Sequence, residues 1–189
     1  MNILVIDNYD SFTYNLVHYI KECTNDRVDV YRNTEISLHS ISAYDKILLS
    51  PGPGIPSEAG IMLETIQTYG SSKHILGVCL GHQGIVEAYG GSIYNMEQVF
   101  HGIESTLTIE DTTCPLYTNI PQNCKVGRYH SWNAVRETLP DDFIVTATDE
   151  DNRIMSIRHK THTVFGVQYH PESILTPEGK QIISNWIHL

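Results

Sequence analysis

The chain contains 189 residues and carries a formal charge of −10, from 12 basic and 22 acidic side chains. Hydrophobic residues make up 41% of the sequence, which excludes global disorder and suffices to bury a full core without disulfide or metal support. Lys and Arg are scarce and form no basic run, so nucleic acid is excluded as the main partner. At roughly 100–200 residues per domain, the length predicts a single domain over residues 1–189.

Targeting and cysteine patterns point to the cytoplasm. No apolar stretch reaches the roughly 18–20 residues that cross a bilayer, and the first residues show no secretory signal. The four cysteines are far apart and include no Cys-x-x-Cys pair, which argues against a disulfide framework or a zinc site. We therefore expect no membrane association and a reducing, cytoplasmic compartment.

The first half of the chain alternates buried apolar runs with amphipathic segments. Strands are predicted at residues 3–6, 27–31, 47–49 and 75–78. Helices are predicted after Ser11, which would be the N-cap, over residues 58–69, and from residue 80 to near Gly90 and Gly91. This alternation predicts a parallel sheet with right-handed crossovers.

The second half consists mainly of strands joined by polar turns. The predicted strands cover residues 106–109, 143–148, 154–158 and 164–169. A helix follows over residues 177–188, with Pro177 in its first turn. The whole sequence therefore predicts an α/β fold with a mostly parallel central sheet, flanking helices and a small antiparallel strand region.

Cys79 lies between two glycines at a predicted strand-to-helix junction, in the sequence Gly77-Val78-Cys79-Leu80-Gly81. A sharp turn there lifts the thiol from the sheet, as in a nucleophile elbow. The helix N-terminus favours the thiolate and directs free backbone N–H groups, Leu80 first, at an oxyanion. A small buried cysteine in a tight turn is the structural alternative, and the flanking glycines favour the nucleophile.

A histidine and a carboxylate follow the strand predicted over residues 164–169. Residues i and i+2 of an extended chain face the same side, and Pro171 holds His170 in the extended region. Glu172 can therefore orient the imidazole of His170, as in a Cys–His–Glu triad. The alternative is a surface histidine beside an unrelated glutamate, but catalytic groups gather at the carboxyl ends of parallel strands.

Other segments give weaker indications of a functional site. The loop Gly52-Pro53-Gly54 could offer a backbone N–H to a developing negative charge, but the residues alone favour an ordinary turn. His159 and His162 have metal-ligand spacing but lie in a polar turn, so we interpret them as solvated. The acidic residues between 7 and 10 would hold a metal or cap the first helix, and residues 128–132 receive no role from the residues alone.

In order, the segments LSPGPGIP (residues 49–56), GVCLGHQ (77–83) and GVQYHPES (166–173) resemble the three active-site blocks of class I (triad-type) glutamine amidotransferases. DNYDSFTYNL (7–16) and RYHS (128–131) are similar to the small subunits of chorismate-using synthases. Those subunits are anthranilate synthase component II and the glutaminase subunit of aminodeoxychorismate synthase. The resemblance spans the chain and implies the three-layer, flavodoxin-like fold of that family.

The resemblance implies hydrolysis of L-glutamine through a thioester on Cys79. His170 would move the protons and Glu172 would hold His170. The backbone N–H groups of Leu80 and Gly52 would bind the oxyanion. The α-amino and α-carboxylate groups of glutamine would be held by Gln83, Ser131 and the backbone of Trp132.

The resemblance also implies a hetero-oligomer in which ammonia passes to a larger, chorismate-binding synthase subunit. In the family that subunit holds Mg²⁺, and no metal or cofactor is expected in this chain. Anthranilate synthase, and thus tryptophan biosynthesis, is the favoured partner. The alternatives are aminodeoxychorismate synthase of folate biosynthesis, a subunit shared by both, a free-standing γ-glutamyl cysteine hydrolase, and a regulatory subunit with a dead site. Two positions depart from the family: Trp132 replaces the usual Leu, and Phe100 the usual Met.

Overall fold

The computed structural model describes residues 1–189. The strands are β1 (Asn2–Asp7), β2 (Arg27–Arg32), β3 (Lys46–Leu49), β4 (His74–Val78), β5 (Ile93–Asn95), β6 (Ile103–Ile109), β7 (Cys124–Arg128), β8 (Trp132–Ala134), β9 (Phe143–Thr148), β10 (Ile154–His159) and β11 (Val164–Val167). The α-helices are α1 (Thr13–Cys23), α2 (Leu38–Ile41), α3 (Met62–Tyr69), α4 (Leu80–Ala88) and α5 (Gly179–Ile187). No helix combines the length and apolar character needed to cross a membrane.

Nine strands form one sheet in the order β2-β1-β3-β4-β11-β10-β9-β6-β7. The neighbours from β2 to β11 pair in parallel, and those from β11 to β7 pair antiparallel. Strands β5 and β8 form a separate antiparallel pair. The α/β fold, with its mostly parallel central sheet and small antiparallel region, is confirmed.

Strand β1 shows why the central strands are apolar on both faces. Its residues Ile3 and Val5 belong to one buried cluster, whereas Leu4 and Ile6 belong to another. The first cluster includes side chains of α1 and α5, and the second includes side chains of α3 and α4. Successive side chains of a strand point to opposite faces, so the sheet lies between two helical layers.

The start of α1 corrects one prediction. Phe12, not Ser11, is the N-cap residue, and no side chain caps the helix. Two carboxylates organise the preceding turn instead. Asp7 Oδ1 accepts hydrogen bonds from Asp10 N at 3.1 Å and Thr13 Oγ1 at 2.9 Å, and Asp10 Oδ2 accepts one from Phe12 N at 2.8 Å. These contacts give both carboxylates a turn-forming role.

Two further helices begin later than predicted. Helix α3 begins at Met62 rather than residue 58, because residues 56–58 form a separate 3-10 turn and Gly60 has a φ of +52°, which ends helical continuity. Helix α5 begins at Gly179, so Pro177 precedes it. Strand β11 ends at Val167, two residues short of the prediction. The C-terminal end of α4 near Gly90 is confirmed, with Gly90 at a φ of +95°.

Gly179 fixes the start of α5 against the segment that carries His170. A Cβ at Gly179 would lie 1.7 Å from the carbonyl oxygen of Pro171. A backbone carbonyl group cannot move aside as readily as the end of a flexible side chain. We therefore expect Gly179→Ala to lower the free energy of unfolding by about 3 kcal/mol, measured by urea denaturation. Gln181→Ala, on an exposed face of the same helix, should be neutral within about 0.5 kcal/mol. Equal stability of the two variants would contradict the close contact.

Candidate active site

Cys79 occupies the turn between β4 and α4. Its backbone has φ 52° and ψ −101°, which is rare for a non-glycine residue. The flanking glycines are required by close packing. A Cβ at Gly77 would lie 2.4 Å from the backbone of Gly81, and a Cβ at Gly81 would lie 2.5 Å from the carbonyl oxygen of Leu49. The predicted elbow geometry is therefore present, and it places the thiol at the N-terminus of α4.

His170 and Glu172 follow β11, the strand next to β4. Val78 of β4 pairs with Val167 of β11, so both strands deliver their following residues to the same edge of the sheet. His170 Nδ1 donates to Glu172 Oε1 at 2.6 Å, and both side chains are buried. His170 Nε2 has no other hydrogen-bond partner within the protein. The geometry matches a base held by a carboxylate with its second nitrogen free.

The electrostatics of His170 favour its protonated form. Burial alone lowers the pKa of His170, but the neighbouring charges of Cys79 and Glu172 outweigh burial and raise that pKa well above its ordinary range. A protonated imidazole next to a thiolate is the resting arrangement that a cysteine nucleophile needs. The arrangement can attack an acyl carbon and then protonate the leaving group.

A cavity of about 220 Å³ lies in front of Cys79. Seven of the ten predicted site residues line it: Gly52, Pro53, Gly54, Cys79, Gln83, Ser131 and Trp132. Val99, Phe100, His101, Tyr129 and His130 complete the wall. Leu80, His170 and Glu172 lie outside the lining, since Leu80 begins α4 and the other two form the buried pair behind the sulfur. The size and mixed polarity fit a ligand of amino-acid size.

The Gly52-Pro53-Gly54 loop forms one wall because Asn8 and Ser50 anchor its base. Ser50 Oγ accepts a hydrogen bond from Asn8 N at 2.8 Å, and the carbonyl oxygen of Ser50 accepts one from Asn8 Nδ2 at 2.8 Å. The loop lies against the start of α4, since a Cβ at Gly52 would lie 2.9 Å from Leu80 Cδ2, and it lines the same cavity as Cys79. A role for Gly52 in binding an oxyanion, which the residues alone did not favour, stays a prediction.

The opposite wall is held by buried polar groups that residue patterns missed. The carbonyl oxygen of Trp132 accepts hydrogen bonds from Gln83 Nε2 at 3.0 Å and His130 Nδ1 at 2.8 Å. His130 Nε2 in turn accepts from Arg128 Nε at 3.1 Å, and Arg128 pairs with the buried Asp149 at 2.7 Å. Trp132 thus contributes its backbone, which a side-chain change from Leu leaves in place. In the sequence, only the similarity of residues 128–131 to the family indicated that this segment belongs to the site.

Two buried histidines predict how stability depends on pH. Burial lowers the pKa of His82 to about 3 and, together with the charge of Arg128, lowers the pKa of His130 to about 3. Unfolded histidine has a pKa near ~6.5, so between about pH 6.5 and pH 3 the unfolded chain binds more protons and stability falls as pH falls. Each histidine contributes about 1.4 kcal/mol per pH unit.

His82→Leu tests this directly. Neither ring nitrogen of His82 has a hydrogen-bond partner, so the substitution leaves no polar group unpaired. We expect it to remove the contribution of His82 and so to make the slope shallower, measured by urea denaturation at about pH 6, 5 and 4. A variant with the slope of the unmodified chain would refute the assignment.

The candidate metal ligands are engaged elsewhere. No group of three or more His, Cys, Asp or Glu side chains is placed to hold a metal ion. His159 is buried, which corrects its interpretation as solvated. Its ring stacks on His162 with centroids 4.1 Å apart, and its Nδ1 accepts a hydrogen bond from His162 N at 3.0 Å.

The fold and site define a cysteine enzyme for acyl transfer, with a buried His–Glu pair on an α/β sheet. A family model described as class-I glutamine amidotransferase matches residues 4–189. The chain belongs to this family and is a glutamine amidotransferase.

Named relatives cover nearly the whole chain. It is 44% identical to anthranilate synthase component 2 of Pseudomonas putida, over 99% of this chain and 96% of the relative. It is also 44% identical to aminodeoxychorismate synthase component 2 of Escherichia coli, over 98% and 99%. The chain spans only 32% of the bifunctional protein TrpGD of Thermotoga maritima, at 42% identity.

A solved structure shares the fold. A glutamine amidotransferase from Thermotoga maritima superposes with a TM-score of 0.75 at 17% identity, covering 91% of this chain and 76% of the other. At that identity, the likeness concerns the fold alone.

Proposed function

We propose that this chain is the glutaminase component of a chorismate-using synthase, in which it releases ammonia from L-glutamine and delivers it to a larger subunit. The observation that carries the chemistry is the Cys79 elbow, which opens on a cavity of amino-acid size with the His170–Glu172 pair behind it. The names of the two relatives at 44% identity support the partner class.

The residues suggest each step of the reaction. The Cys79 thiolate attacks the side-chain carbonyl carbon of glutamine, and the N–H groups of Leu80 and Gly52 bind the oxyanion, each contributing about 3 kcal/mol. The imidazolium of His170 protonates the departing amine, which leaves as ammonia. Water, deprotonated by His170, then cleaves the glutamyl thioester to give glutamate and the free thiolate. Glu172 holds His170 in the orientation that serves both steps.

Exposed apolar side chains near the cavity support a partner surface. Val99, in the cavity wall, is 64% exposed, Tyr9 is 49% exposed, and Ile174 is 93% exposed. We place the interface on this surface, near residues 8–9 and 101–102. A docked subunit there would receive ammonia without exposing it to bulk water. The Mg²⁺ expected in the complex would belong to that subunit.

Anthranilate synthase is the proposed partner, with aminodeoxychorismate synthase, or both, as the alternative. A cytoplasmic location is part of the proposal, and the four free cysteines support it. The test combines this chain with glutamine, Mg²⁺, chorismate and each large subunit from the same source in turn. The ortho aminobenzoate supports anthranilate synthase, the para isomer supports aminodeoxychorismate synthase, and both indicate a shared subunit.

The same experiment separates the remaining alternatives. If neither product forms, and γ-glutamyl substrates turn over without a partner, a free-standing hydrolase replaces the proposal. A regulatory subunit with a dead site predicts that a glutamine-analogue electrophile leaves Cys79 unlabelled. Labelling of Cys79 that excess glutamine blocks would exclude the dead site.

A further inference from the structure

Gln168 is a fully buried amide beside the nucleophile. It is 0% exposed, and it lies directly after β11, two residues before His170. Its Nε2 lies 3.6 Å from Cys79 Sγ, and its Oε1 lies 3.2 Å from Gln83 Nε2. Both polar atoms of Gln168 are therefore used inside the site, and neither the residue patterns nor the family resemblance gave it a role.

The orientation of these two amides follows from their partners. The carbonyl oxygen of Trp132 only accepts hydrogen bonds, so the nitrogen of Gln83 must face it, at 3.0 Å. The second hydrogen of that nitrogen meets the oxygen of Gln168. Reversal of Gln168 would set one amide nitrogen against another. The nitrogen of Gln168 is thereby directed at the sulfur of Cys79.

The same arrangement leaves Gln83 with one free polar atom. Both hydrogens of its Nε2 are committed, to Trp132 and to Gln168. Its Oε1, an acceptor on a residue that lines the cavity, is the atom available to a ligand. An acceptor suits the α-ammonium of an amino acid rather than its carboxylate. The cavity wall and the nucleophile are thus joined by a chain of two amides.

We propose that Gln168 stabilises the thiolate of Cys79 by donating a hydrogen bond to its sulfur, and that Gln83 couples this bond to the ligand's α-ammonium. The identity of the ligand rests on the proposed function, whereas the hydrogen bond from Gln168 to Cys79 does not. A buried anion needs donors, and hydrogen bonds to a charged acceptor are about twice as strong as neutral ones. A cation on Gln83 Oε1 polarises the first amide and strengthens the donors further along the chain.

The test is the pH dependence of Cys79 alkylation by iodoacetamide in the full chain, quantified on the Cys79 peptide by mass spectrometry. Gln168→Met replaces the amide with an apolar side chain of similar length. We expect alkylation about tenfold slower near pH ~7, with the midpoint of the profile displaced to higher pH. Tyr169→Phe is the matched control, since it removes a buried hydroxyl that contacts Tyr117 and not the sulfur. A Gln168→Met profile equal to that of the unmodified chain overturns the proposal.

A second measurement needs no core substitution at Gln168. The side-chain amide resonances of Gln168, observed by NMR in the unmodified chain, should shift over the pH range in which Cys79 becomes reactive. The shift should vanish in Cys79→Ala. Resonances that do not respond would overturn the proposal even if Gln168→Met fails to fold. Neither measurement requires glutamine or a partner, so failure here is distinguishable from failure of the proposed function.

Discussion

Cys79→Ala is expected to abolish glutamine-dependent product formation by the complex, lowering its rate at least about a thousandfold. The substitution removes the atom that attacks the carboxamide and leaves the cavity wall in place. Ammonium salts, which bypass the glutaminase, should still support product formation by the partner subunit. The measurement is the rate of aminobenzoate formation with each nitrogen source.

Cys23→Ala is the matched control, because Cys23 ends α1 away from the cavity and is a free thiol. It should leave both rates unchanged. Loss of both activities in Cys79→Ala would contradict a separable ammonia supply. Retention of the glutamine-dependent rate would remove Cys79 from the reaction.

Asp149→Ala is expected to give the largest loss of stability, about 3–5 kcal/mol. The side chains of Asp149 and Arg128 are each 1% exposed, and their atoms approach to 2.7 Å. Removal of the carboxylate leaves the Arg128 guanidinium buried without its counter-charge. It also removes the acceptor for the backbone N–H groups of Asp151 and Arg153. Urea denaturation measures the loss.

Two further variants show whether the loss of stability in Asp149→Ala comes from the buried ion pair. Asp151→Ala removes an exposed carboxylate from the same turn, 66% accessible, and should cost less than about 1 kcal/mol. Arg128→Met combined with Asp149→Leu removes both charges and should recover part of the loss, since no buried charge is left unpaired. An Asp149→Ala variant as stable as Asp151→Ala would show that the buried pair contributes nothing.

Local chemistry made the reacting groups predictable. The two glycines around Cys79 and the proline after His170 constrain the backbone within a few residues, so the sequence segments alone indicated the elbow and the facing carboxylate. Both arrangements are present in the structure, although the catalytic roles of these residues stay predictions until tested. The parallel strands were predictable for the same reason, because apolar runs buried on both faces carry a strong local signal.

The remaining strands and buried polar residues could not be predicted, because they depend on contacts between residues far apart in the sequence. Strands β5, β7 and β8 are short or partly polar, and they are held by partners far along the chain, as when His170 N donates to the carbonyl oxygen of Gly127 at 3.0 Å. Arg128 gave no local sign of burial because its partner Asp149 lies 21 residues away. Gln168 likewise has its partners 85 and 89 residues away. Such contacts follow from the fold, and no local sequence pattern indicates them.

The pairing of Val78 with Val167 determines which parts of the site can move. Adjacent strands stay about 4.8 Å apart for as long as the sheet is intact, and core strands separate only in openings close to global unfolding. Gly52 and residues 99–101, which line the cavity, lie outside the strands, and loops open at a lower free energy than core strands. A subunit that docks at the cavity would therefore act on these loops more readily than on the contact between β4 and β11, which fixes where the segments that carry Cys79 and His170 begin.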